Sequence, residues 1–327
     1  MKKTVLFYLI IAICAVSPAS SQTPVPIGEL KKAMDEFSDN MALSLPFNST
    51  MGLNWSDAYI KNFPHFGVGA SIGYTTMNAG SLGDLLKQFD LNMPSVLYKF
   101  GGFPVPGYTL EGRLGGLGTS FDMGFKFGYL PMKPSGLDKL DYLLIGGDVR
   151  FAVLKQNLIL PNISVGMGYN YQSGGIGKTA GSDRIFEYFN DGAGNSETLT
   201  LKAPEIDVDW STSVLDFKAQ ISKSFLIITP YFGIGACGGW SKAGYSVTTT
   251  VTDSAGNLDA AKLALKQFGI DDLSSTGFSS TANFNGWSYR AYGGLSLNFT
   301  VFRLDITALY NFRNSNYGVT MGARVQL

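Results

Sequence analysis

Charge is scarce in this chain. Only 15% of its residues are Asp, Glu, Lys or Arg, against about 25% in an average soluble domain. The signs balance at 25 basic and 25 acidic residues. No basic excess suits nucleic acid, and no polybasic run suits anionic lipid. Cysteine is nearly missing. Cys14 falls in an N-terminal leader, which leaves Cys237 alone and excludes an intrachain disulfide. Cys237, beside Gly235 and Gly238-Gly239, has no partner ligands, so no metal site is expected around it. His65 is the single histidine, and no G-x-S-x-G accompanies it, so a serine–histidine hydrolase has no parts. GGIGKT (174–179) falls short of a phosphate-binding loop, because Gln172 stands where its first glycine belongs, and the stretch reads as an outer loop. No enzyme activity, cofactor or metal is expected. After the leader there is no run of 18 apolar residues, so no transmembrane helix.

What is present is a leader, much glycine and many aromatics. Lys2 and Lys3 precede an apolar run from Val5 to Val16, and Ala19-Ser20-Ser21 supplies small residues before Gln22. This reads as a secretory signal over 1–21. Its removal takes two lysines and leaves a net charge of about −2. Glycine counts 40 residues and aromatics 13%. An exported chain rich in both and poor in charge fits a transmembrane β-barrel or a secreted all-β protein. No Pro/Ser linker divides it, so one domain is expected.

Residues 26–41 carry Ile27, Leu30, Ala33, Met34, Phe37 and Met41 at helical spacing. This helix is either a plain surface helix or a plug. From His65 the period changes to two. Ten candidate strands follow: 65–77, 107–117, 120–130, 141–154, 160–173, 206–222, 225–240, 285–300, 301–312 and 316–327. They run about ten to sixteen residues, whereas soluble strands run about five or six and bilayer-spanning strands about nine to eleven. Short connections alternate with long ones at 78–106, 131–140, 174–205 and 241–284, as in a barrel with short periplasmic turns. Residues 47–59 are a possible extra strand. Residues 81–89 and 258–270 read as short helices within loops, and 240–252 as a strand extension beyond the membrane.

The terminal strand shows the faces best. Tyr317, Val319, Met321, Ala323, Val325 and Leu327 share one side; Asn316, Gly318, Thr320, Gly322, Arg324 and Gln326 share the other. In a barrel the first set meets lipid and the second the lumen. The alternation breaks in 206–222, where apolar parity shifts between Trp210 and Phe217. A bulge near Val214-Leu215 is expected to repair it.

The inward faces collect charges of both signs. Glu111 and Arg113, Asp122 and Lys126, Asp148 and Arg150, Asp216 and Lys218, Arg290, Arg303 and Asp305, and Arg324 make up this lumenal set. Strand direction places most of them in the half nearest the short turns. They read either as structural closure of a narrow lumen or as a filter or gate. The opposite half is expected to carry small or neutral inward residues, with aromatics at the rims.

The stretches WSDAYIKNFPHFGVGASIGYTT (55–76) and TSFDMGFKFGYLP (119–131), with the terminal strand, resemble uncharacterised outer-membrane β-barrels of spirochaetes, treponemes in particular. Some of those are likened to the FadL long-chain fatty-acid transporters, whose N-terminal hatch sits inside the barrel. The resemblance implies a hatch over 22–62 and a barrel over 63–327. FadL barrels have fourteen strands rather than about ten, and their Asn-Pro-Ala hatch motif is missing here. Leu327 replaces the terminal aromatic common among enterobacterial barrels, which bears on the barrel assembly machinery as partner.

The expected fold is an all-β transmembrane antiparallel up-and-down barrel of about ten strands with a short N-terminal helical segment, in the cell outer membrane. Its expected partners are outer-membrane lipid and a small or hydrophobic solute, not nucleic acid. Its expected role is passive or gated transport of such solutes; the alternative is a structural or adhesion barrel whose long extracellular loops bind partners.

Overall fold

The computed structural model describes residues 27–78, 80, 102–118, 120–132, 138–179, 183–189, 196–203, 205–248, 250–253 and 277–327. The leader and the expected loop helices at 81–89 and 258–270 lie outside the described residues. In chain order the elements are helix α1 (Ile27–Asn48), then β1 (Phe66–Met77), β2 (Phe103–Gly115), β3 (Phe121–Met132), β4 (Lys139–Leu154) and β5 (Asn162–Thr179). Next come β6 (Arg184–Phe189), β7 (Ser196–Leu201), β8 (Glu205–Ser222), β9 (Ile228–Thr248) and β10 (Val251–Asp253). β11 (Phe278–Phe299), β12 (Phe302–Asn311) and β13 (Tyr317–Gln326) complete the chain.

Ten strands close an antiparallel barrel in the order β1-β13-β12-β11-β9-β8-β5-β4-β3-β2. Closure rests on the β1–β13 ladder, from Gly67↔Gln326 to Thr75↔Gly318. A closed ladder leaves no strand edge in lipid, where an unmatched N–H or C=O costs several kcal/mol. β6, β7 and β10 form a separate three-stranded sheet. There the Lys202 ammonium and the Ala203 N–H hold the Asp183 carboxyl below its ordinary pKa.

The alternation sorts the wall into two faces. Phe125, Tyr129, Phe151, Met167, Ile234 and Ile306 are exposed on the outside. Asp122, Lys126, Arg150, Gln172 and Arg290 are buried inside. The barrel therefore has a turn end and a loop end. Residues 116–120, 155–161, 223–227 and 300–301 connect strands at the turn end, where Leu327 also lies. β1, β3, β5, β9 and β12 end at the loop end. β5, β9 and β11 are longer than the sequence pattern suggested, so 174–179 is strand rather than outer loop, and the 241–284 connection narrows to 249–277.

α1 lies inside the barrel. Phe37, Met41, Ala42 and Leu45 pack against Met77, Trp210, Ala243 and Ala282. Residues 44–60 are buried without a break. Residues 47–59 add no strand to the barrel: 27–48 is helix, and 49–65 descends the lumen without pairing as a strand.

Two expectations about faces are corrected. β8 contains no bulge; its pairing with β5 and β9 runs without a register shift, and Trp210, Thr212, Val214, Asp216 and Lys218 all point inward. Trp210 and Val214 looked misplaced because an apolar inward residue needs an apolar partner, and α1 provides that for Trp210. For the same reason the loop-end half is not merely small and neutral, since Met77, Leu140, Tyr142 and Leu144 are buried there as well. The described register shift lies in β4, between Ala152 and Leu154.

A lipid carrying bromine on its acyl chains distinguishes the two faces. In single-tryptophan variants, Trp287, which is 47% exposed on the outer face, is expected to be quenched strongly and Trp210 hardly at all. Equal quenching would restore the bulge and put Trp210 in lipid.

Candidate functional site

All twelve inward charges lie within the lumen, and eleven of them are buried, with Arg303 partly so. They do not pair with the neighbour two residues along the same strand. Asp148 takes Arg113 of β2 at 2.7 Å and Lys218 of β8 at 2.5 Å, each reaching past the strand that lies between. Asp122 takes Arg113 at 2.5 Å and Arg150 at 2.9 Å. Arg290 meets Asp216 at 2.8 Å, and Arg324 meets Asp305 at 2.8 Å. The period of two puts Asp148 and Arg150 on one face. Barrel curvature and stagger then bring charges from different strands into contact across the narrow lumen. Gly124 makes room for this: a Cβ there would lie 2.5 Å from the Asp148 carboxylate and 2.7 Å from the Arg113 guanidinium.

The wall set holds seven cations and five carboxylates, and the plug supplies the missing acceptors. Asp57 takes Arg303 at 2.6 Å and Arg324 at 3.2 Å, and its carbonyl takes Arg150 at 2.7 Å. Lys126 donates to the carbonyls of Ser49 and Met51 at 2.7 and 2.6 Å. Trp55 stands between two guanidiniums, 4.5 Å from Arg324 and 5.7 Å from Arg113, and donates its indole N–H to Glu111 at 2.6 Å. Glu111 also takes the Leu53 N–H at 3.0 Å. Gln220 donates to the carbonyls of Trp55 and Ser56. The sequence pattern missed Asp57 and Trp55 because they sit in a segment without periodicity. The one available signal was a stretch rich in polar residues between Pro46 and Pro64 that follows a helix and precedes the first strand.

A second feature lies in the wall. β2 and β3 pair only from Leu110↔Phe127 to Gly115↔Asp122. Toward the loop end each continues as a strand on its other neighbour, β2 on β1 and β3 on β4. Pro104, Pro106 and Pro131 lie along this seam and have no N–H to give to a ladder. The Tyr108 hydroxyl stands in for it, accepting the Tyr129 N–H at 2.9 Å and donating to the Tyr129 carbonyl. A Cβ on Gly128 would collide with the Tyr108 carbonyl, so the two strands overlap closely there. The Tyr108 ring reaches to 5.9 Å from that of Tyr142. Tyr142 is buried, and its hydroxyl has no hydrogen-bond partner among the described residues.

Of the other candidates, Cys237 is buried beside Asp216, with its thiol 3.4 Å from the carboxylate. His65 bonds the Asn62 carbonyl at the turn end, away from the lumen charges. Among the described residues no group of three His, Cys, Asp or Glu is arranged to hold a metal.

Comparison with known proteins adds a family. A profile described as a family of unknown function (DUF6588) matches residues 116–323, more than half of the chain. No curated protein matches the sequence significantly. Among solved structures, the chain is similar to the outer membrane protease OmpT from Escherichia coli, with 9% identity, TM-score 0.41 and coverage of 81% of this chain and 97% of that one. It is similar to the transport unit of the autotransporter AIDA-I from Escherichia coli at 9% identity and TM-score 0.32, covering 88% and 98%. It is also similar to the toluene transporter TbuX of Ralstonia pickettii at 9% identity and TM-score 0.26, covering 90% and 93%. At these values the likeness carries no statement about activity.

The buried network predicts a sharp difference between two carboxylates. Asp148→Ala leaves Arg113 and Lys218 short of a buried partner and is expected to cost about 3–5 kcal/mol. Asp209→Ala removes a partner from an exposed pair with Lys139 and is expected to cost about 1 kcal/mol or less. Urea unfolding of protein folded into vesicles measures both; equal losses would mean the lumen is wet and the charges are solvated.

Proposed function

We propose that this chain, which belongs to the family of unknown function DUF6588, is an outer-membrane barrel for gated passage of small or hydrophobic solutes. The observation that carries the reading is the combination of a stopped lumen with an unladdered seam. Residues 44–60 and the wall charges are buried across the lumen, and in this reading they stop the axial path to ions. Among the described residues, the Tyr108 hydroxyl takes the place of a backbone ladder along the β2–β3 seam above Leu110. On its outer side it meets the hydrocarbon of the bilayer, and on its inner side lies Tyr142. An apolar molecule with one polar group suits such a path: its body leaves through the seam and its polar group meets the Tyr142 hydroxyl. The charge layer in this reading is a stopper, since its near balance of signs selects neither cation nor anion.

Vesicles containing the folded protein test this with two probes, an apolar fluorescent amphiphile and a small hydrophilic dye. The unmodified protein is expected to pass the amphiphile and hold back the dye, with no steady single-channel conductance. Tyr108→Ala is expected to speed amphiphile passage several-fold and leave conductance unchanged. Steady conductance in the unmodified protein would make it an open porin. No passage of either probe, in both proteins, would leave a structural or adhesion barrel.

A further inference from the structure

The contacts of the lumenal segment fix its direction. Asp35 of α1 accepts a hydrogen bond from Tyr245, near the loop end of β9, at 2.8 Å. Further on, Asn48 accepts from Gln172 at 2.6 Å, and Lys126 holds the Ser49 carbonyl. Near the turn end, the Ala58 N–H donates to Ser222 and the Ile60 N–H to Asp122, each at 3.0 Å. Phe63 N–H donates to the Gly116 carbonyl in the β2–β3 turn. The chain thus enters at the loop end and leaves at the turn end, where β1 begins and where the C-terminal Leu327 pairs with Phe66.

From this we infer that the barrel carries its own amino-terminal segment through the membrane, so that the start of α1 opens on the cell surface while Leu327 stays in the periplasm. The inference rests on the outer-membrane reading, in which short turns face the periplasm and long loops face outward. The described chain then crosses eleven times, ten as strands and once as plug, and an odd number of crossings puts the two ends on opposite sides. A hatch anchored from the periplasm would run the other way, with its first residues beside Asp122 and Ser222. The polar links along 48–60 and the apolar packing of Phe37–Leu45 both set the register of this crossing, so α1 cannot be reversed without losing both. Lys31 and Lys32 are exposed at the mouth. The plug is therefore reachable from the outside, and an external partner that drew on the start of α1 would pull in line with the lumen.

Single-cysteine variants in a Cys237→Ser background test the inference in intact cells with a membrane-impermeant maleimide. Lys32→Cys reports the start of α1, Arg313→Cys the loop end, and Leu158→Cys, at a site 97% exposed, the turn end. Lys32→Cys and Arg313→Cys are expected to react in intact cells, and Leu158→Cys only after the outer membrane is breached. Reaction of Arg313→Cys with protection of Lys32→Cys until breach would overturn the threading. Reaction of Leu158→Cys alone in intact cells would overturn the surface assignment by inverting the barrel. Equal reaction of all three in intact cells would instead overturn the outer-membrane reading on which it stands. Heat-shifted gel mobility confirms that each variant is folded before labelling.

Discussion

An acceptor for every buried cation, in a space with little water, is the constraint on which the rest of this structure depends. Ten strands enclose a narrow lumen, because barrel diameter grows with strand number. Seven cations and five carboxylates point into it from the wall. A buried cation without an acceptor is costly, so the wall alone is incomplete. Asp57, reached by Arg303 and Arg324, and the carbonyls that hold Lys126 and Arg150 complete it. Plug and wall are two halves of one electrostatic unit.

The same constraint explains why the plug changes form at Asn48. An α-helix uses its carbonyls internally and has few to offer to a ring of cations. In the loop-end half this does not matter, since Phe37, Met41 and Leu45 meet Trp210 and Met77. In the turn-end half the acceptors must be free, and there the chain is non-repetitive. Pro46 sits in the last turn of α1, Gly52 takes a left-handed φ of 78°, and carbonyls on both sides of Gly52 turn outward, those of Ser49 and Met51 to Lys126, those of Trp55 and Ser56 to Gln220, and that of Asp57 to Arg150. The β2–β3 seam is the counterpart in the wall. Proline removes ladder donors at the place where the lumen is apolar and charge pairing is not available to hold the strands together.

The barrel was legible because lipid imposes a rule that each strand obeys by itself. An apolar outer face with a polar inner face yields a period of two within ten residues, and Phe302, Leu304 and Ile306 against Arg303 and Asp305 display it without any knowledge of neighbours. The twelve charges were legible for the same reason. Their partners were not. Asp148 and Arg150 are close in sequence and share a face, yet each pairs with other strands, and strand register is not written in either strand alone. Trp210 and Val214 misled because the rule assumes a polar lumen. Asp57 and Trp55 left no periodic trace.

The sequence by itself therefore determined the class of fold, a strand count near ten and the face of each charge, since these follow from local contrast between lipid and lumen; the closed count of ten came from the β1–β13 pairing. Only the tertiary structure decided that α1 stops the lumen, that its amino end opens with the long loops, and that Asp57 closes the charge layer. Those depend on which groups meet across the barrel, and a narrow, poorly hydrated lumen accepts only the arrangement in which every buried charge finds its partner.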